Sequence, residues 1–263
     1  MNRLRPVLRG IVRPALGATA LLLAGAFSGA ALARPPEAEE GAYDGRFNFV
    51  RIRWGDQSGN GCSGRREPLW AHDMCRRGEA AENLFATILD EITLADPHLK
   101  GKVLTLDDPE LFRYPIAYIV EVGSWRPSQA EVEGLRAFLL KGGLLIVDDF
   151  RDAREMLNFQ TQMEMVLGSA ELFPIEAGHS VWNSFFHIPN PSALAPSTYT
   201  QHVPAYLGIY ENDDPQGRLM AIVNFNQDIG EYWEWSPDGF IPIPLTNEAY
   251  KFSVNYIIYA MTH

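Results

Sequence analysis

Ile116-Ala117-Tyr118-Ile119-Val120-Glu121-Val122, then Pro127-Ser128-Gln129-Ala130-Glu131, then Lys141-Gly142-Gly143-Leu144-Leu145-Ile146-Val147-Asp148-Asp149 form the stretch whose reading decides the fold. The first apolar run is broken only by Glu121, and continuous runs of this kind suit strands buried on both faces of a parallel sheet. Between the two runs, Ser128 is placed to cap a helix, and Glu131 three residues later completes the pattern of a capping box. Leu135, Phe138 and Leu139 supply the inner face of that helix, and Lys141-Gly142-Gly143 stops it. Strand, helix, strand in this order predicts a βαβ unit with a right-handed crossover, the second strand ending at Asp148-Asp149.

Outward from this unit, Phe47-Asn48-Phe49-Val50-Arg51-Ile52-Arg53-Trp54 alternates apolar and polar residues, as a strand with one wetter face does. A Gly-rich loop at 55–64 follows. Over 79–95, Ala81, Leu84, Phe85, Ile88, Leu89 and Ile92 then share one helical face. Residues 102–106 read as a short strand. On the other side, 152–167 is predicted helical, 205–210 and 219–225 carry shorter strand signals between Pro-rich loops, and an amphipathic helix at about 247–261 closes the chain. The pattern is that of a single α/β domain over 46–263, preceded by a linker at 34–45 rich in Pro, Glu, Ala and Gly.

Residues 1–33 stand apart. Arg3, Arg5, Arg9 and Arg13 make a basic start, residues 15–27 are apolar, and Ala31-Leu32-Ala33 offers small residues at a cleavage site. These are the three parts of a secretory signal peptide, and the apolar run is shorter than the roughly 20 residues that span a bilayer. The expectation is a periplasmic or secreted protein without stable membrane insertion after cleavage. Cleavage takes the 22 basic residues to 18 against 33 acids, a formal charge of −15. A surface so acidic repels nucleic acid. Cys62 and Cys75, the only cysteines, flank a Gly-, Arg- and Pro-rich segment that a disulfide could close in an oxidising compartment.

Five spaced blocks go further: the Phe47-x-Phe49-x-Arg51 strand, Asp107-Asp108-Pro109-Glu110-Leu111-Phe112-x-Tyr114-Pro115, residues 141–150, residues 178–186, and Asn224-Phe225-Asn226-Gln227-Asp228-Ile229-Gly230. Together they resemble a bacterial family known only as a domain of unknown function, number 4159, across most of residues 46–262. The resemblance implies a fold like that of class I glutamine amidotransferases, a flavodoxin-like three-layer arrangement with helices on both faces of a mostly parallel sheet. It implies no activity. The amidotransferase nucleophile is a cysteine on a tight turn after a strand, and the matching turn here, Glu121-Val122-Gly123-Ser124-Trp125, has none. Glutaminase chemistry is therefore not expected.

Open parallel sheets bind ligands beyond the carboxyl ends of their strands. That rule selects Arg53, Trp54, Glu121, Asp148, Asp149, Asn224, Asn226 and Asp228, with His179 and His187 arriving from a later loop. Asp148 and Asp149 could serve as a general base or metal ligand, or as caps for the next helix. Glu121 is a candidate acid or base, or the ion-pair partner of Arg51, Arg53 or Arg126. His179 and His187 could join the two aspartates on a divalent metal, or pack as core histidines. Ser124 follows Gly123 but lacks the Gly-x-Ser-x-Gly elbow of serine hydrolases. Glu231-Tyr232-Trp233-Glu234-Trp235 looks exposed, either a sugar-binding aromatic face or a packing anchor.

No phosphate loop, dinucleotide fingerprint or zinc motif implies a cofactor, and a divalent metal stays open. Three functions compete. The first is a cell-envelope ligand-binding or interaction domain that uses Arg53, Trp54, Ser124, Asn226 and Asp228 toward a small molecule, a glycan or an envelope protein. The alternative is a periplasmic hydrolase, metal-assisted or not, that acts on a carbohydrate or envelope component through Asp148, Asp149, Glu121 and His179. The third is a purely structural partner in an assembly.

Overall fold

The computed structural model describes residues 44–55, 68–71, 77–196 and 202–263. The expected signal peptide, all but the end of the linker, and Cys62 and Cys75 with the disulfide that could join them lie outside these residues. Seven strands build one sheet: β1 (Val50–Ile52), β2 (Lys102–Leu104), β3 (Ile116–Val120), β4 (Leu144–Phe150), β5 (Phe173–Pro174), β6 (Ala205–Tyr210) and β7 (Leu219–Phe225). Their order is β2-β1-β3-β4-β7-β6-β5. The first five in that order are parallel, and β6 and β5 extend the edge antiparallel.

The helices are α1 (Glu79–Ile92), α2 (Gln129–Leu140), α3 (Asp152–Leu167), α4 (Ile229–Glu234) and α5 (Ile243–Thr262). Strand side chains alternate between faces, and the core divides accordingly. Ile119, Leu145, Val147 and Val223 pack with Leu135 and Phe138 of α2 and Phe159 and Met163 of α3. Tyr118, Ile146 and Ile222 pack on the other face with Phe85 of α1, Trp233 of α4, and Phe252 and Tyr256 of α5. The sheet thus lies between two helical layers. Among the described residues no helix is long and apolar enough to cross a membrane.

Ser128 caps α2 as its sequence requires: its Oγ accepts from Glu131 N at 3.3 Å, and Glu131 Oε2 accepts from Ser128 N at 2.8 Å. Several elements depart from expectation. β3 stops at Val120, because Glu121 turns into the left-handed region (φ 56°, ψ 37°) and Val122–Ser124 forms a 3₁₀ turn. α5 starts at Ile243, ahead of the periodic run, with a proline in its first turn, where a missing N–H costs nothing. β4 does not end at the aspartate pair but runs through it to Phe150.

At the point where strand order reverses, between β1 and β3, buried Trp54 spans the two strands, its indole N–H donating to Val120 O at 3.0 Å. Close approach of α2 to the chain after β2 depends on Gly134, where a Cβ would lie 2.1 Å from Leu106 O. In an exposed helix, Gly→Ala stabilises by up to about 1 kcal/mol. Here the carbonyl cannot yield, and Gly134→Ala is expected to destabilise by about 1–3 kcal/mol, read as a lower urea midpoint at unchanged slope.

Candidate functional site

The carboxyl edge of the sheet is built from four segments. β3 ends in Glu121. β4 ends in Asp148-Asp149-Phe150 and passes through Arg151 into α3. β7 ends in Asn224 and Phe225, with Asn226 next, and Asp228 caps α4. Backbone bonds stitch the ends together: Glu121 N donates to Asp149 O (3.2 Å), Asp149 N to Gln227 O (3.1 Å) and Asn226 N to Phe150 O (3.1 Å).

Asp149 has φ 51°, and the register against β7 slips between Val147 and Phe150. Val147 pairs with Val223 and Phe150 with Phe225, so β4 carries one residue more than its partner, a β-bulge. The bulge puts Val147 and Phe150, three residues apart, in the same core, with Phe150 5.6 Å from Phe159. It also lets two adjacent aspartates act on one neighbour, since both Asp149 and Asp148 help push up the pKa of Asp228. A regular strand would send them to opposite faces.

Asp148 is fully buried and saturated. Its Oδ2 accepts from Tyr118 Oη at 2.8 Å, Ile229 N at 2.9 Å and Gly230 N at 3.1 Å, and its Oδ1 from Asn224 Nδ2 at 3.1 Å. Tyr256 Oη in turn donates to Asn224 Oδ1 at 3.0 Å. Beyond Tyr118 lies Arg51, its guanidinium 5.2 Å from the phenol ring centroid and its Nε 2.6 Å from Glu82 of α1. Arg51 is thus committed to Glu82 as a buried ion pair. Gly230 permits the close fit, since a Cβ there would lie 3.1 Å from Tyr118 Oη. Burial pushes Asp148 up to about 6, against the pull of these donors.

Arg151 balances the remaining acids. Its guanidinium lies 2.8 Å from Asp149 Oδ1 and 3.6 Å from Asp228 Oδ2, and it feels the charge of half-buried Glu121. Asp228 caps α4 by accepting from Glu231 N at 2.8 Å. Burial, then the charges of Asp149, Asp148 and Glu234, drive its pKa well above the usual carboxylate range. Asn226 Oδ1 accepts from Asp152 N and its Nδ2 donates to Val203 O, each at 3.1 Å. Arg53 is half-buried at the end of β1, and Ser124 is exposed on the 3₁₀ turn.

The structure therefore brings Glu121, Asp148, Asp149 and Asp228 to one edge, with Asn226 beside them. His179 is not among them. Its ring lies 5.9 Å from that of Tyr210, which pairs with Leu219 at the start of β7, whereas Asp148 meets Asn224 near the end of that strand. A strand of this length separates the two by roughly 20 Å, too far for one ligand shell. His179 Nδ1 accepts from Val181 N at 3.1 Å, and burial, then the nearby His263, lower its pKa. His187 is exposed and bonded to Asn183. Among the described residues no three His, Cys, Asp or Glu are grouped to hold a metal ion.

The segment read as exposed, at 231–235, is mostly interior. Tyr232 and Trp233 are buried, Trp233 stacks on Phe85 at 5.0 Å, and the packing alternative holds. Arg151 and Tyr118 were the residues missed. Tyr118 sits inside an apolar run where only its hydroxyl marks it, and Arg151 looks like any basic residue after a strand.

Asp148→Ala leaves four donors unpaired in a dry interior. The expected loss is about 3 kcal/mol or more by denaturant titration at pH 7. The pH dependence has a definite sign. The folded pKa of about 6 lies above the ordinary 3.8, so ionising Asp148 costs stability. That cost is absent well below pH 3.8, grows as the pH rises toward 6, and is complete above it. Melting curves from pH 4 to 7 should show wild type losing stability relative to Asp148→Asn across this window.

A search of curated proteins finds no match. A family model described as Domain of unknown function (DUF4159) matches residues 70–261, a span that holds β2 to β7, α1 to α4, all but the last residue of α5, and every acid of the carboxyl-edge cluster. The chain belongs to the DUF4159 family.

Proposed function

We propose that this chain is an exported cell-envelope domain that binds a polar small molecule or glycan at the carboxyl edge of a flavodoxin-like, amidotransferase-like sheet. One observation carries the reading. Glu121, Asp149, Asp152 and Asn226 all have positive φ, between 51° and 62°, and all four sit at that edge. Left-handed backbone in residues other than glycine costs free energy and concentrates where a fold holds groups for a ligand. Further support comes from strand order. The parallel strands run β2-β1-β3-β4-β7, the doubly wound 2-1-3-4-5 order, whose ligands bind at the reversal between its first and third strands. Arg53, Trp54, Glu121 and Ser124 belong to the two segments that meet there, with Asp149 and Arg151 behind. Acceptors held by Arg151 suit a ligand rich in hydroxyl or amine donors. The matching turn lacks a cysteine, which argues for binding without amidotransferase chemistry.

Ligand-observed NMR with neutral sugars and amino sugars tests this. Members of the panel should bind with Kd of about 1 mM or tighter, and Glu121→Gln or Arg151→Gln should weaken them about tenfold. Affinity indifferent to both substitutions would sink the assignment of the site.

A hydrolase acting on a carbohydrate is the second reading, favoured by Asp228, which burial, then its charged neighbours, push toward the neutral, proton-donating form. Glu121 on its strained turn would be the matching base. Asp148, its carboxylate oxygens already taken up by donors, and His179, at the other end of the sheet, take no part in it. Turnover of aryl glycosides that disappears in Glu121→Gln while sugar binding persists would select this reading over simple binding.

A further inference from the structure

We infer that the amino-terminal edge of the sheet, opposite the acidic cluster, holds a second binding site, for a small organic anion with an aromatic body. A cavity of about 380 Å³ opens there, where β3 and β4 begin. That volume falls within the range of small-molecule sites. Three of its wall residues are cationic, Arg46, Arg113 and Lys141, and none is acidic. In a chain of net charge −11 this is a local reversal of sign.

The three cations are not equivalent. Arg46 is neutralised, with Nε 2.7 Å from Asp44 Oδ2 and a terminal nitrogen 2.9 Å from His98 Nδ1. Glu110 is near enough to feel Arg113 but is held by Lys102 Nζ at 2.7 Å and Tyr114 Oη at 2.8 Å. Among the described residues, neither Arg113 nor Lys141 forms an ion pair. Lys141 does not simply extend into water. Its Nζ rests 4.5 Å from the ring centroid of Phe112, which fixes the ammonium at the cavity wall and leaves its N–H groups to donate.

Phe112 meets Phe138 edge-on at 6.4 Å, and Met261 of α5 closes the apolar side. Two cations outside any ion pair among the described residues, beside an aromatic wall, fit a carboxylate, sulfonate or phosphate carried on an aryl group. A free inorganic ion would leave the wall unused, and a neutral aryl group would leave the cations unused. The bland alternative, solvated surface charge, does not account for an ammonium held on a ring at the wall of a concave, acid-free site.

Calorimetric titration of the purified protein with naphthalene-2-carboxylate, 2-naphthalenemethanol and inorganic phosphate tests the site. Naphthalene-2-carboxylate should bind saturably, about tenfold tighter than either of the others, and lose about tenfold in the Arg113→Gln/Lys141→Gln double variant. Both substituted side chains are exposed, so the melting temperature should stay put. Phe112→Ala should weaken the aryl carboxylate and leave phosphate unchanged, while Glu121→Gln, at the other edge, should alter neither. The inference fails if the carboxylate shows no saturable binding, if the alcohol binds equally well, if phosphate alone binds as tightly, or if the double variant binds like wild type.

Discussion

A single carboxylate in a dry interior organises the middle of this protein. Asp148 belongs to β4, yet its donors come from β3 (Tyr118), β7 (Asn224) and the first turn of α4 (Ile229 and Gly230). Each donor would otherwise be a buried polar group without a partner, and each lone pair of Asp148 would be an unsolvated charge. Satisfying all of them at once sets how far the three strand ends stand apart and where α4 begins. The network reaches onward through Asn224 to Tyr256 of α5 and, across the face of Tyr118, to the Arg51–Glu82 pair that ties β1 to α1. Helices of one layer and strands of the sheet are thus joined by polar contacts as well as by apolar packing.

The same arrangement explains why strain collects at the carboxyl edge. An extra residue in β4 turns Asp149 into left-handed backbone and leaves Asp148 facing inward and Asp149 beside Arg151. The acids differ in role because their surroundings differ. Asp148 is saturated, Asp149 is ion-paired, Asp228 is pressed toward its neutral form, and Glu121 is half-buried at the reversal of strand order. At the other edge the sign of the charge reverses, since the cavity there is walled by Arg46, Arg113 and Lys141 and by no acid.

Much of the fold was legible in the residues. The apolar runs at 116–122 and 144–147, the capping box at Ser128 and the strand signals at 205–210 and 219–225 are local patterns, and the elements formed there. The short α4 was not legible. Its six residues hold too few turns for periodicity to show, and it forms because Asp148 and Asp228 receive its N-terminal amides. The aromatic-acidic run at 231–235 looked solvent-facing for the same reason, since its burial depends on Phe85 and α5 covering it.

By itself, then, the sequence determined what local rules control: a mostly parallel α/β sheet, helix caps, and an acidic edge at the strand ends, because period, cap chemistry and strand direction are set within a few residues. Only the tertiary structure decided which acids meet. His179 and Asp148 look equally eligible in one dimension, yet the antiparallel β6–β7 pairing carries His179 to the far end of the sheet. Asp148 and Asp149 should diverge by the alternation of a strand, yet a one-residue bulge against β7 lets both act on Asp228. Neither outcome rests on sequence neighbours: His179 meets Tyr210, 31 positions on, and Val147 pairs with Val223, 76 positions on, so no local pattern encodes them.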